Sequence, residues 1–237
     1  MEELIRIGLT QLGQKEKVPG EAPSLLARYG ELLLQKNQVM NLTAITEPAD
    51  VATLHMLDCA ALLNCADFEE KTLIDVGTGA GFPGLPLKIL VPSLKVTLLD
   101  SLNKRVDWLA EVCEALSLDG IQAVHARAEE AGHAPAFREQ FDFAAARAVA
   151  DLRLLCELCL PFVKTGGRFL AMKSTASDDE LNSALPAIQT LGGQVERCVD
   201  YTIPHTNVVH RVILIQKNAE ISGKYPRRWA KMQKVPL

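Results

Sequence analysis

The chain reads as an α/β fold: a seven-stranded, mostly parallel sheet with helices on both faces and a helical N-terminal extension. Three observations predict it. From residue 71 onward, short apolar strands alternate with helical segments. A glycine-rich turn, "GTGAG" at 77–81, follows the first strand directly. The first 68 residues carry helical rather than strand periodicity.

In the extension, "SLLARYGELLLQKNQVM" places Leu25, Leu26, Tyr29, Leu32 and Leu33 at helical spacing. "TEPADVATLHMLDCAALL" predicts a further helix, with Thr46 as its cap and Pro48 in the first turn. The intervening "NQVMNLTAI" is too rich in Asn and Thr for simple helix. The strands then follow in order: "KTLIDV", "KVTLLD", "IQAVHAR", "FDFAAARA", "GGRFLAMKS", "QVERCVDYTI" and "HRVILIQK". Helices are predicted over "GLPLKILV", "SLNKRVDWLAEVCEAL" with Ser101 as a cap, "DLRLLCELCLPFV" and "DDELNSALPAIQTLG". No helix separates the last two strands, which predicts an antiparallel strand at the sheet edge. The expected organisation is a helical extension over 1–68, a main domain over 69–218, and an irregular basic arm over 219–237.

Hydrophobic residues make up 48% of the 237 and charged residues 23%, enough for a substantial core. No apolar run reaches membrane-spanning length, and the acidic "MEELIRIGLT" is no signal peptide, so a cytoplasmic protein is expected. Net charge is −4, which argues against indiscriminate nucleic-acid binding. Charge is nevertheless segregated: residues 1–70 hold 5 Lys/Arg against 11 Asp/Glu, and residues 201–237 hold 7 against 1. Cys156 and Cys159 form a CxxC on an apolar helix face with no second ligand pair nearby. They read as buried structural thiols, and no cluster has metal spacing.

The glycine turn decides the chemistry. A dinucleotide fingerprint starting at Gly77 needs glycine at 82, where Phe82 stands. A P-loop from Gly79 to Gly84 needs Lys and Ser/Thr next, where Leu85 and Pro86 stand. Both phosphate readings fail. Asp75 closes the first strand and adds negative charge to a strand-end crevice, which suits a ligand carrying an ammonium and a sulfonium and no phosphate. S-adenosylmethionine is such a ligand. Asp100 ends the second strand, where an acidic residue takes ribose hydroxyls.

"LIDVGTGAGFPGLPLKI" resembles the first cofactor motif of the bacterial 16S rRNA guanine-N7 methyltransferases, the RsmG or GidB family. "NLTAI", "HMLDC", "FDFAAARAVADL", "MKS" and "YPRR" resemble further motifs of that family, in its order and spacing. The resemblance implies a class I S-adenosylmethionine-dependent methyltransferase fold. It also implies transfer of a methyl group to guanine N7 in the decoding-region loop of 16S rRNA. It puts Gly77 and Phe82 on the glycine-loop contacts to the cofactor, Ala128 and Glu129 on the adenine side, and Arg147 on the arginine after the fourth strand. The tail departs from the pattern, with Trp229 and Ala230 where small, turn-forming residues are usual. Cys59 stands where serine is expected.

The expected cofactor set is therefore Asp75, Gly77, Gly79, Phe82, Asp100, Ala128, Glu129 and Arg147. Methylating N7 needs no general base, so no residue is assigned a catalytic role outright; Arg147 and Lys173 are the candidates for positioning the guanine. A surface ion pair with Asp142 or Asp151 competes for Arg147. His55 and Asp58 share a helical face as a pocket wall or as a satisfied core pair. His205 and His210 read as structural or exposed. Lys224, Arg227, Arg228, Lys231 and Lys234, interleaved with Tyr225 and Trp229, form the expected RNA contact together with His55 and Lys173. The expected partner is 16S rRNA within the 30S subunit or an assembly intermediate, bound by a monomer. An S-adenosylmethionine enzyme acting on another RNA, a small molecule or a protein stays open, as do an NAD-dependent oxidoreductase and a non-catalytic RNA-binding factor.

Overall fold

The computed structural model describes residues 1–147 and 150–237. Ala148 and Val149, within "FDFAAARAVADL", lie outside the described residues. Helices α1 (Glu2–Gln11) and α2 (Ala22–Asn37) bury Ile5 and Leu9, and Leu26, Tyr29 and Leu33, each set at i, i+3/i+4 spacing. Asn37 ends α2 by accepting the backbone N–H groups of Leu42 and Thr43 on its Oδ1, which turns the chain out of the helix. A continuous helical run then comprises α3 (Pro48–Asp50), a π-helical stretch (Val51–Leu57), α4 (Asp58–Ala60) and a 3-10 turn (Ala61–Asn64). Thr46 is not its cap. Glu47 takes that position without a side-chain bond, and Pro48 with its fixed φ begins the helix.

The strands are β1 (Thr72–Val76), β2 (Lys95–Asp100), β3 (Ile121–His125), β4 (Phe141–Arg147), β5 (Val163–Ser174), β6 (Gly193–Thr202) and β7 (Val209–Lys217). Between and after them lie α5 (Gly84–Leu90), α6 (Asn103–Ala115), α7 (Ala128–Ala131), α8 (Leu152–Cys159), α9 (Asp178–Thr190) and α10 (Trp229–Lys234). The sheet order is β3-β2-β1-β4-β5-β7-β6. The antiparallel strand is therefore not at the edge as expected. β7 runs antiparallel to both neighbours and lies inside, between β5 and β6. Burial gives the reason: Val212, Ile213, Leu214 and Ile215 are all covered on both faces, whereas β6 exposes alternate residues as an edge strand does. Ser101 does not cap α6 either; Asp100 Oδ1 accepts the Leu102 N–H at 2.9 Å and fixes that entry.

Two hydrophobic clusters sandwich the sheet. Ile5, Leu26, Tyr29 and Leu33 share one with Leu85, Leu98 and Leu109, so the N-terminal helices complete a face of the sheet. The other holds α8, α9 and, from the C-terminal arm, Ile221, Tyr225 and Met232. The arm is not irregular throughout, because its last turn is α10. Strand order reverses at β1, which pairs with β2 on one side and β4 on the other. A ligand crevice is expected at the carboxyl ends of these strands.

Candidate active site

That crevice is present, in two lobes. One, of about 290 Å³, is lined by Val76, Leu99, Ala128, Glu129, Leu158 and Trp229. The other, of about 490 Å³, is lined by Thr43, His55, Gly79, Phe82, Arg105 and Arg147. Gly77, Asp100 and Ser101 line both and mark the seam. The lobes fall in the size range of small-molecule sites.

The glycine turn holds its shape for local reasons. Gly79 and Gly81 have φ of 59° and 99°, in the left-handed region that L side chains rarely adopt. A Cβ on Gly81 would also stand 2.7 Å from Tyr29 Oη. That hydroxyl donates to the Ala80 carbonyl, so α2 buttresses the turn from below. Asp100 Oδ2 accepts the Gly79 N–H at 2.9 Å, and Arg105 Nη1 lies 3.5 Å away.

Asp75 does not do what its position suggested. Its carboxylate is fully buried beneath the turn and lines neither lobe. Oδ2 accepts from Thr78 Oγ1 at 2.7 Å and from the Gly84 N–H at 2.8 Å, stitching the turn to α5. Burial pushes its pKa up to about 6, with those two bonds opposing the rise. The carboxylate that lines both lobes is Asp100, and Glu129 lines the first. The apolar walls of Val76, Leu99 and Leu158 in the first lobe suit a flat neutral ring. The residues present thus fit an adenosyl ligand with its ribose at the Asp100 seam.

Arg147 is the last residue of β4 and lines the second lobe. Asp142 and Asp151 are not its partners: Asp142 binds Thr72 and Lys164, and Asp151 caps α8. Its partners come instead from the π-helical run. Nη1 donates to Asp58 Oδ2 at 3.1 Å and to the Leu54 carbonyl at 3.2 Å, and Nη2 donates to His55 Nδ1 at 2.9 Å. The guanidinium lies 4.6 Å from the Phe82 ring centroid, and His55 stacks on the same ring at 4.5 Å. Phe82 therefore supports Arg147 and His55 while it lines the lobe. Among the described residues, Arg147 Nε has no partner.

Because an arginine only donates, His55 Nδ1 must accept. The proton sits on Nε2, which donates to Thr43 Oγ1 at 2.8 Å. His55 is thus a neutral imidazole. Burial first, then the Arg147 charge, lower its pKa to about 4. Asp58 is buried and accepts twice more on Oδ1, from Tyr201 at 2.7 Å and His210 at 2.8 Å. Burial pushes its pKa up, but His210, Arg147 and Tyr201 together hold it below the usual carboxylate value. The Asp58 hydrogen bond raises His210 above an ordinary histidine despite partial burial. His210 and Tyr201, both on the β6–β7 pair, carry no sequence signal that marks them as site residues. His205 Nε2 donates to the Leu4 carbonyl at 3.1 Å on the surface, away from the crevice.

Lys173 is not in the crevice. Its amine donates to Glu180 Oε1 at 2.6 Å and to the Ala150 carbonyl at 2.8 Å, where it ties β5 to α9. Arg227 is withdrawn from the arm's surface as well. Its backbone and Nε meet Glu157 Oε1 at 2.8 Å and its Nη2 meets Oε2 at 2.6 Å, while Glu157 is buried. Lys224, Arg228, Lys231 and Lys234 stay outside such buried pairs, on the arm's outer side. Cys156 and Cys159 are free, buried thiols, and burial raises both pKa values. Among the described residues, no group of three or more His, Cys, Asp or Glu is placed to hold a metal ion, and no helix is long and apolar enough to cross a membrane.

The sheet order and the crevice at its switch point define a Rossmann-like class I methyltransferase. TrmN from Thermus thermophilus has a solved structure that matches 67% of this chain and 48% of its own, at a TM-score of 0.51 and 25% identity. M. jannaschii TYW2, solved in complex with AdoMet, matches 68% of this chain and 74% of its own, with a TM-score of 0.54 and 11% identity, a likeness of fold alone. The family is more specific. GidB, described as rRNA small subunit methyltransferase G, matches residues 23–209, and the chain belongs to it. The ribosomal RNA small subunit methyltransferase G of Alkaliphilus metalliredigens is 47% identical over 213 residues, 90% of this chain and 89% of its own. The protein of the same name from Leuconostoc mesenteroides is 47% identical over 216 residues, covering 89% of each chain. The family that the motifs resemble is the family found.

Proposed function

We propose that this enzyme transfers the methyl group of S-adenosylmethionine to N7 of a guanine in the decoding-region loop of 16S rRNA. It acts in the cytoplasm as a monomer, on RNA presented by the 30S subunit or an assembly intermediate. The observation that carries the reading is Arg147, fixed by Asp58 and His55 at the wall of the second lobe, next to the seam marked by Gly77 and Asp100. When bound, the cofactor supplies a methyl group on a sulfonium. Gly77 and Asp100 would hold the cofactor at the seam, and its methyl would pass to the in-plane lone pair of guanine N7, with sulfur keeping the C–S electron pair as a neutral thioether.

No proton leaves N7, so no base is required. His55 is suited to positioning, since both its ring nitrogens are already engaged. Arg147 is suited to donating to guanine O6, an acceptor that stays an acceptor throughout; donation to N7 would occupy the attacking lone pair. Rate enhancement then comes from holding the base in line. Lys224, Arg228, Lys231 and Lys234 supply phosphate contacts, a local cationic patch on an acidic body.

The test is label transfer from tritiated S-adenosylmethionine to purified 30S subunits, deproteinised 16S rRNA and a total small-molecule extract, followed by nucleoside mapping. The expected product is 7-methylguanosine in 16S rRNA. Label in another RNA, a protein or a small molecule would replace this reading with that one.

A further inference from the structure

We propose that Trp229, carried by the C-terminal arm, forms the closing wall of the purine end of the cofactor crevice and positions the adenine ring there. This deepens the S-adenosylmethionine reading and rests on it. The lobe beyond the Asp100 seam is walled by Val76, Leu99 and Leu158 on the sheet side and α8, and Trp229 supplies a remaining apolar side. The arm thus does more than present charge.

Trp229 stands at a lobe that its own segment reaches by a fixed route. Trp229 is half-buried, packs against the second hydrophobic cluster and lines the lobe together with Ala128 and Glu129. Its backbone is held firmly. Arg138 donates to the carbonyls of Ile221 and Tyr225, each at 2.8 Å, and His133 meets the Pro226 carbonyl at 2.7 Å. Arg227 is locked onto buried Glu157, and Met232 is fully buried one turn further on. A side chain delivered by so fixed a backbone is pre-organised, so little ordering cost attaches to its packing on a ring. A flat aromatic wall in an apolar slot recognises a purine by its face, whatever the substituents at the other end of the ligand.

The chain has two tryptophans, and the other, Trp108, is buried in the core on α6. A Trp108→Phe protein therefore carries a single fluorophore at the proposed wall. Titrating it with S-adenosylhomocysteine or 5′-methylthioadenosine should change its emission saturably, and free methionine should not. By equilibrium dialysis with S-adenosylmethionine, Trp229→Ala should raise Kd roughly 10-fold, and Trp229→Phe should stay within about 2-fold of the parent. An unchanged emission, or a Trp229→Ala protein with parental urea midpoint and parental Kd, overturns the proposal and leaves the cofactor reading standing. If the parent protein itself binds no S-adenosylmethionine, the cofactor reading falls and takes this proposal with it.

Discussion

Replacing Asp58 by asparagine removes one charge and almost no volume. The carboxylate is buried and receives Arg147, Tyr201 and His210. In the variant the amide oxygen can face Arg147 while its NH₂ faces a neutral His210, so hydrogen bonds are largely kept. The Arg147 guanidinium, however, loses its counter-charge. Removing one partner of a buried pair costs about 3–5 kcal/mol. Arg147 retains 17% side-chain exposure at the crevice, so the lower end, about 3 kcal/mol, is expected. That amounts to a fall in melting temperature on the order of 6–12 °C for a domain of this size. Urea unfolding checks it: the midpoint should drop with the m-value unchanged. In an Arg147→Met background the same change should cost far less, giving a coupling of about 2 kcal/mol or more. A loss below about 1 kcal/mol, or additivity of the two changes, would refute the claim that Asp58 holds Arg147 by charge.

Three further outcomes follow from the same geometry. His55 is neutral in the fold with a pKa of about 4, against an ordinary value of 6.5. As pH falls between these values the unfolded chain takes up a proton that the folded one does not, so stability drops, by about 2 kcal/mol between pH 7 and 5 relative to His55→Gln. Urea midpoints at both pH values read this; a pH-independent difference sinks it. His210 runs the opposite way: its raised pKa gives stability that is full below about pH 6.5 and lost as pH rises through the folded value, so the deficit of His210→Asn should shrink on the alkaline side. Among the described residues Lys224, Arg228, Lys231 and Lys234 take no part in buried ion pairs, so reversing them to glutamate should lower the urea midpoint only slightly, through the lost Lys224–Tyr225 ring contact and the acidic charge placed at the end of α10. The same change should flatten the salt dependence of rRNA binding by up to about 0.7–0.9 for each phosphate the arm no longer neutralises. A parental salt slope would show that the arm touches no phosphates.

How legible the sequence was depends on how far apart the deciding residues lie. Alternating strands and helices are local patterns, and the fold class follows from them. The position of β7 was also written locally, since "VILI" is a continuous apolar run fit for an interior strand, while "QVERCVDYT" scatters charges as an edge strand does. Asp75 and Asp100 look equivalent, each an acid closing a strand. They part because Gly84 and Thr78 fold back onto Asp75 and seal it, whereas Asp100 reaches Gly79 and Leu102 at the rim. Arg227 and Arg228 are neighbours with opposite fates, decided by Glu157, 70 residues away. Asp58 and His210 meet across 152 residues, a pairing no spacing rule reveals. Trp229 gave a signal only as an aromatic in a basic tail; its place in the crevice depends on how the arm returns over α7 and α8.

The electrostatics around Arg147 bear on how the proposed reaction can run there at all. Transfer to N7 leaves the guanine ring positive, and an uncompensated guanidinium beside it would raise the barrier through like-charge repulsion. Arg147 and Asp58 together carry no net charge, and neutral His55 adds none. The guanidinium can therefore orient O6 through N–H groups at little electrostatic cost to the developing cation. His210 meets the other oxygen of that carboxylate, Oδ1, and not the Oδ2 that Arg147 holds. The network accordingly separates two tasks that a lone arginine would confound: it supplies a rigid hydrogen-bond donor, and it keeps the second lobe close to neutral as the methylated base becomes a cation.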